Sequence, residues 1–273
     1  MKILRHRLHD DEGIPLPFKS TPNHGGTLKP EYLVLHYTAG RDAASSISWF
    51  QNPDAGASAH LVVGRDGIIT QMVPFNQIAW HAGISRWEDR VGLNAYSIGI
   101  ELDNPGKLSR RGNRWFSWFE QAYDDEFVIE AVHKNESETA GWHTYTPKQI
   151  EAALDVSSIL MKKYELKDVL GHEDISPGRK SDPGPAFPMA SFRSRLLGRR
   201  DEQPEVFETT TYLNIRNGPG VQYEAVKGSP LKPDTQVEIL ENRGIWRFVD
   251  VLETGTDPDI EGWVHGRYLR RAS

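Results

Sequence analysis

The run Gly171-His172-Glu173-Asp174-Ile175-Ser176-Pro177-Gly178-Arg179-Lys180-Ser181-Asp182-Pro183-Gly184-Pro185 constrains this chain more than any other stretch. Prolines and glycines crowd around Lys180 and Asp182, so the segment favours turns over regular structure and its backbone has few options. A histidine, a lysine and an aspartate are thereby held on one short, stiff loop. Far upstream, Tyr32-Leu33-Val34-Leu35-His36-Tyr37-Thr38 places His36 just past an apolar run that reads as a buried strand. A fold that suits both segments brings strand end and loop together. His36, His172 and Asp182 then make two imidazoles and one carboxylate, a catalytic Zn2+ set with a position left for water.

Composition narrows the chemistry. The chain has 273 residues, enough for one large and one small domain. Its net charge of −6, with both signs mixed, gives no basic footprint, so no nucleic-acid partner is expected. No apolar run reaches the roughly 18 residues of a membrane span, so none is expected. The N-terminus, with Arg5, His6, Arg7, His9 and Asp10, lacks the apolar centre of a signal peptide. Cysteine is absent, which removes disulfides, cysteine-type zinc sites and every cysteine-nucleophile hydrolase. The compartment stays open.

Along the chain, residues 31–38 and 59–63 read as strands, and Gly64-Arg65-Asp66-Gly67 turns into Ile68-Ile69-Thr70-Gln71-Met72-Val73 as a hairpin. Asp42 caps a helix to Phe50, and Thr146 with Pro147 begins another that keeps helical spacing to Leu166. Tyr96 to Leu102 is a further strand ending in the carboxylate of Glu101. Strands and helices alternate, which reads as an α+β fold, a mixed central β-sheet flanked by helices. Between about 103 and 145 lies an insertion in which Trp115, Phe116, Trp118, Phe119 and Tyr123 crowd together. It reads either as a hairpin or helix whose rings pack on the sheet edge, or as an aromatic wall of a substrate groove.

After the polar bridge Arg199-Arg200-Asp201-Glu202-Gln203-Pro204-Glu205 the pattern changes to short strands and turns. Leu213 to Ile215 reads as a strand before the tight turn Asn217-Gly218-Pro219-Gly220, followed by strands at 236–240, 246–251 and 261–265. This is a small all-β unit with the dimensions of a compact barrel.

These residues carry a resemblance. His36-Tyr37-Thr38, Ser58-Ala59-His60 followed by Arg65-Asp66-Gly67, Ala79-Trp80-His81-Ala82-Gly83, Ser97 to Leu102 and the Gly171–Pro185 loop resemble, in order, the amidase-2 family of zinc N-acetylmuramoyl-L-alanine amidases. That fold is shared with T7-type lysozyme and peptidoglycan recognition proteins. The C-terminal unit resembles a bacterial SH3 domain through Leu213 to Gly220 and Gly262-Trp263-Val264. The resemblance implies a catalytic domain over 1–200, interrupted by the 103–145 insertion, and an SH3-like barrel over 206–273. It implies peptidoglycan or muropeptide as the substrate.

His36, His172 and Asp182 match the family's zinc ligands. Glu101 matches the carboxylate that takes a proton from water and returns it to the leaving amine. Lys180 matches the cation that stabilises charge on the carbonyl oxygen. Each has a bland counterpart: a core histidine, an edge carboxylate paired with arginine, a solvated cation. His81, with Trp80 beside it, is a candidate substrate contact, or else a buried histidine that holds a loop. Ala59 stands where some members carry tyrosine, which leaves the burden on Glu101 and Lys180. His133 and His143 match no motif and are not expected to be ligands. Two other classes compete: a muropeptide-binding protein without turnover, against which the intact set speaks, and a structural zinc protein, for which a fourth ligand is not evident. Location is open among a cell-envelope or released enzyme and one that recycles fragments in the cytoplasm.

Overall fold

Tyr32–Tyr37 and Ser97–Leu102 are buried along nearly their whole length, the pattern of strands covered on both faces. They lie inside a five-stranded sheet with the spatial order Asp168–Gly171, Tyr32–Tyr37, Ser97–Leu102, Leu61–Val63, Ile69–Gln71. The first four strands run parallel and the last closes the hairpin on Leu61–Val63, antiparallel as the turn chemistry requires. The computed structural model describes residues 1–197, 206–252 and 260–272, and the chain divides into two compact units, Met1–Phe187 and Pro188–Ser273. The expected bridge at 199–205 lies outside the described residues. Among the described residues no helix is long and apolar enough to cross a membrane.

Both expected helices form at their caps. The Asp42 side chain accepts from Ser45 N at 2.7 Å while Ser45 Oγ accepts from Asp42 N, and helix Ala43–Gln51 follows. Its Phe50 packs with Val62 and Met72 on one face of the sheet. Thr146 caps Pro147–Tyr164, and Glu165 ends that helix at φ 50. Gln149, buried at its start, donates from Nε2 to Val63 O and Asp103 O, tying the helix to the strand ends.

The insertion is neither one hairpin nor a helix. It is a second five-stranded, wholly antiparallel sheet in the order Ala122–Tyr123, Arg114–Phe116, Lys107–Arg111, Thr139–His143, Val128–Val132. Trp115 and Trp142 are its buried rings, and Gly141 is required because a Cβ there would lie 2.5 Å from the Trp115 ring. In the second unit a five-stranded antiparallel sheet runs Glu261–His265, Trp246–Val251, Gln236–Arg243, Val206–Thr209, Leu269–Arg271. Leu213 and Ile215 are buried in its core as alternation demands, but the segment joins no ladder. It bridges Leu231, Ala225 and Trp263 at single residues instead, because its partners lie on different segments.

Candidate metal centre and active site

Register brings the site together. Glu101 sits opposite His36 in the parallel ladder, so the two side chains leave the same face. On the other side Gly171 pairs with Leu35, and continuing that register by one residue sets His172 level with His36. Three neighbouring strands thus present His172, His36 and Glu101 at their carboxyl ends, where sites of open α/β sheets form. Asp182 comes from the loop. The loop opens with one helical turn, His172–Ile175, and Glu173 N donates to Asp182 O at 2.9 Å to fold the chain back. Tyr145 OH donates to Pro183 O at 2.8 Å, and the hydroxyls of Tyr37 and Ser181 bond at 2.8 Å.

The result is a triangle of donor atoms. His36 Nδ1 lies 2.9 Å from His172 Nδ1 and 2.9 Å from Asp182 Oδ2, and His172 Nδ1 lies 3.0 Å from the same oxygen. All three residues are buried, and among the described residues they form one cluster able to hold a metal ion. Outer hydrogen bonds assign the tautomers. His172 Nε2 donates to Ala82 O at 3.0 Å, which leaves its Nδ1 as a lone pair. His81 Nε2 faces Ser97 O at 3.3 Å and donates to it, so His81 Nδ1 accepts from His36 Nε2 at 3.0 Å. His36 Nδ1 is then a lone pair as well. Second partners of this kind orient metal-binding imidazoles.

Electrostatics agree. Burial, reinforced by the nearby His172, holds His36 down at about 4 and therefore neutral. Glu101 behaves oppositely. Burial first, and the Asp182 charge second, push it well above its ordinary value, while Lys180 opposes the rise. Its Oε2 is buried without a hydrogen-bond partner. Buried polar atoms are rarely orphaned, so such an oxygen marks a position kept open for something else.

Each expected residue can now be placed. His36, His172, Asp182, Glu101, Lys180, His81 and Trp80 all line one groove of about 890 Å³. Trp80 keeps 38% of its surface exposed there. His81 is buried, with burial and the charges of His36 and His60 driving its pKa well down, and its ring lies against the strand at Gly99. A Cβ at Gly99 would sit 2.4 Å from the His81 ring, so only glycine leaves it room. His60 stands outside the donor triangle: its Nδ1 accepts from Gly99 N and its Nε2 donates to Gln77 O, which ties two strands. His133 pairs with Glu173 at 2.6 Å and His143 contacts Arg65 at 3.1 Å.

Several contributors escape a reading of the chain. Asn94 Oδ1 accepts from both His81 N and Ala82 N, which shapes the turn that supplies Ala82 O. Arg179 Nη2 donates to Ala82 O and Ile84 O, lashing that turn to the donor loop. Glu173, beside His172, is gripped by His133 and Lys134 of the insertion and accepts from Gly184 N. Only backbone carbonyls and single polar side chains are involved, and those carry no spacing signal.

Comparison with known proteins identifies the family. Residues 26–185 match the family model described as N-acetylmuramoyl-L-alanine amidase, and the chain belongs to that family. It is 34% identical to N-acetylmuramoyl-L-alanine amidase AmiD of Escherichia coli over 176 residues, 61% of this chain and 53% of that one. It is 32% identical to 1,6-anhydro-N-acetylmuramyl-L-alanine amidase AmpD of Enterobacter cloacae over 194 residues, 64% of this chain and 85% of that one. AmpD of Escherichia coli is 36% identical over 138 residues, 50% of this chain and 56% of that one. The chain spans about half the length of both Escherichia coli relatives. A solved complex of Escherichia coli AmiD with anhydro-N-acetylmuramic acid-L-Ala-D-gamma-Glu-L-Lys aligns at 30% identity and a TM-score of 0.47, covering 62% of this chain and 58% of that one.

Proposed function

We propose that this chain is a zinc-dependent amidase that cleaves the bond between N-acetylmuramic acid and L-alanine in peptidoglycan or muropeptides. One observation carries the reading: three buried ligand atoms, His36 Nδ1, His172 Nδ1 and Asp182 Oδ2, converge within 3.0 Å of one another, beside a buried carboxylate oxygen without a partner. Two nitrogens and one oxygen meeting in this way repel one another unless a cation sits among them, and imidazole with carboxylate suits zinc. His36 and His172 through Nδ1, and Asp182 through Oδ2, would hold it. When bound, the ion supplies Lewis acidity, lowering the pKa of a water toward about 7 and favouring the ionised form of nearby acids.

The chain's own groups do the rest. Glu101 takes the proton of the attacking water at Oε2 and delivers it to the alanine nitrogen as the C–N bond breaks, which leaves a muramoyl carboxylate and a free amine. Its burial makes it a strong base once ionised. Lys180 supplies positive charge where the carbonyl oxygen becomes negative. His81 keeps His36 in the tautomer that points its lone pair inward. Trp80 offers an apolar wall to the substrate. In this reading residues 1–200 are the catalytic domain, and 206–273 are a bacterial SH3-like barrel that adds a second contact to the wall polymer.

Digestion of purified wall and of soluble muropeptides with zinc-loaded protein, read by mass spectrometry, tests it. Free stem peptides and peptide-free glycan are expected. Intact muropeptide that stays bound would show recognition without hydrolysis and overturn the proposal.

A further inference from the structure

The inserted sheet carries Trp118 into the groove on a rigid turn. Ser117 N donates to Gln121 O at 3.0 Å, Glu120 N donates to Ser117 O at 3.1 Å, and Gln121 N donates to Ser117 Oγ at 3.1 Å. Glu120 takes φ 66, a left-handed conformation that a non-glycine residue adopts at a cost. Trp118 is 72% exposed, yet it is not free to swing. Its indole Nε1 donates to Ala39 O at 2.7 Å, and Phe119 packs edge-on against it at 5.6 Å. The only polar atom of the side chain is therefore spent inside the protein. What remains for a ligand is a fixed apolar face.

That face borders two hollows. One is the groove of about 890 Å³ over the donor triangle, where Trp49, 55% exposed, and Trp80 add two more indoles. The other, about 640 Å³, lies over the inserted sheet, and Tyr37, Ala39 and Trp118 line both. A pocket for one small molecule holds roughly 300–1,000 Å³, so two hollows of that size that share Tyr37, Ala39 and Trp118 fit an extended ligand. The second hollow is charge-balanced. Lys107 and Arg110 stand against Glu130 and Glu138, with Lys107 already paired to Glu136 at 2.5 Å and Arg110 to Glu130 at 3.4 Å. Neutralised cations do not attract an acidic peptide. A neutral pyranose ring, with C–H groups on its face and hydroxyls at its rim, suits an indole floor with paired polar walls.

We propose that Trp118 is the floor of a second saccharide subsite. On the amidase reading above, on which this inference rests for its substrate class, the groove grips sugars of a glycan chain beyond the muramoyl residue whose amide is cut. The substrate is then a stem peptide still carried on a multi-sugar strand.

Full-length zinc-loaded protein tests this with two soluble substrates, a tetrasaccharide muropeptide and a single muramoyl peptide. Wild type should show a KM about tenfold lower for the tetrasaccharide. Trp118→Ala should erase that difference, raising the tetrasaccharide KM about tenfold more than the single-sugar KM while both kcat values change together. Trp118→Phe, which keeps a ring but loses the bond to Ala39, should retain most of the preference. An equal loss on both substrates, or no length preference in wild type, overturns the proposal. A second arm does not need hydrolysis: Trp118→Ala should weaken binding of a peptide-free tetrasaccharide of N-acetylglucosamine and N-acetylmuramic acid about tenfold by calorimetry. Equal affinities overturn the subsite even where wild type cleaves nothing, whereas loss of turnover with this difference intact overturns only the amidase reading.

Discussion

The carboxyl edge of the central sheet and the inserted sheet beside it are both rich in charged and aromatic groups, and they handle them in opposite ways. At the sheet edge His36, His81, Glu101, His172 and Asp182 are all buried, and Glu101 keeps an oxygen without a partner. In the insertion Lys107–Glu136, Arg110–Glu130 and Arg111–Glu120 pair at the surface, and Arg110 and Arg111 lie over the rings of Trp115 and Phe116. Exposed pairs cost little because water screens them, whereas buried polar groups cost stability unless each finds a partner. A fold that tolerates the second arrangement keeps it for chemistry.

The contrast can be broken hardest at Asp182. Asp182→Ala removes one of three converging donors, so zinc affinity should fall by more than the roughly 100-fold that outer partners reach, and turnover should vanish with it. Competition with a chromophoric chelator measures this directly. Unchanged affinity would mean that the triangle is not the metal site.

Glu101→Gln should keep zinc and lose turnover by about 10²–10⁴. It also carries a pH signature. In the metal-free protein Glu101 holds its proton well above the value of about 4.3 at which an unfolded chain releases it, so its share of stability is complete below that pH and is lost as pH rises through the folded pKa. The metal-free glutamine variant should therefore melt above wild type at pH 7, and the gap should close toward pH 4. A gap that grows on acidification would contradict the upward shift.

Smaller effects sharpen the comparison. Gly99→Ala drives a methyl into the His81 ring, which should cost about 1–3 kcal/mol of stability and loosen zinc by about 10–100-fold through His36. Chemical denaturation and chelator competition read the two separately, and a stability loss with zinc binding intact would deny His81 its positioning role. At the low end, Arg111→Gln breaks a pair whose side chains are more than half exposed, so the unfolding free energy read by chemical denaturation should change by no more than about 1 kcal/mol.

Much of this was open to a reader of the chain alone. The apolar runs around His36 and Glu101, the capping signals at Asp42 and Thr146 and the Gly/Pro loop are local patterns, and each became the element its chemistry favours. The insertion's five-stranded sheet is not legible because short strands with mixed exposure show neither a clean period of two nor one of 3.6, whereas the groove-wall reading of its aromatics fits Trp118 and Phe119, which line the groove. His81 could be called either a substrate contact or a loop anchor, since its neighbours in sequence say nothing of Ser97 O or His36 Nε2.

Residue type and order were enough to name which donors this chain owns, because burial, turn formation and capping are decided within a few positions. Their meeting was not readable there. Ladder register across three strands sets His172, His36 and Glu101 in one row, backbone carbonyls choose which ring nitrogen faces inward, and a distant turn sets Trp118 beside them. Those relations join atoms far apart along the polymer, and hydrogen-bond geometry and close packing in three dimensions alone determine them.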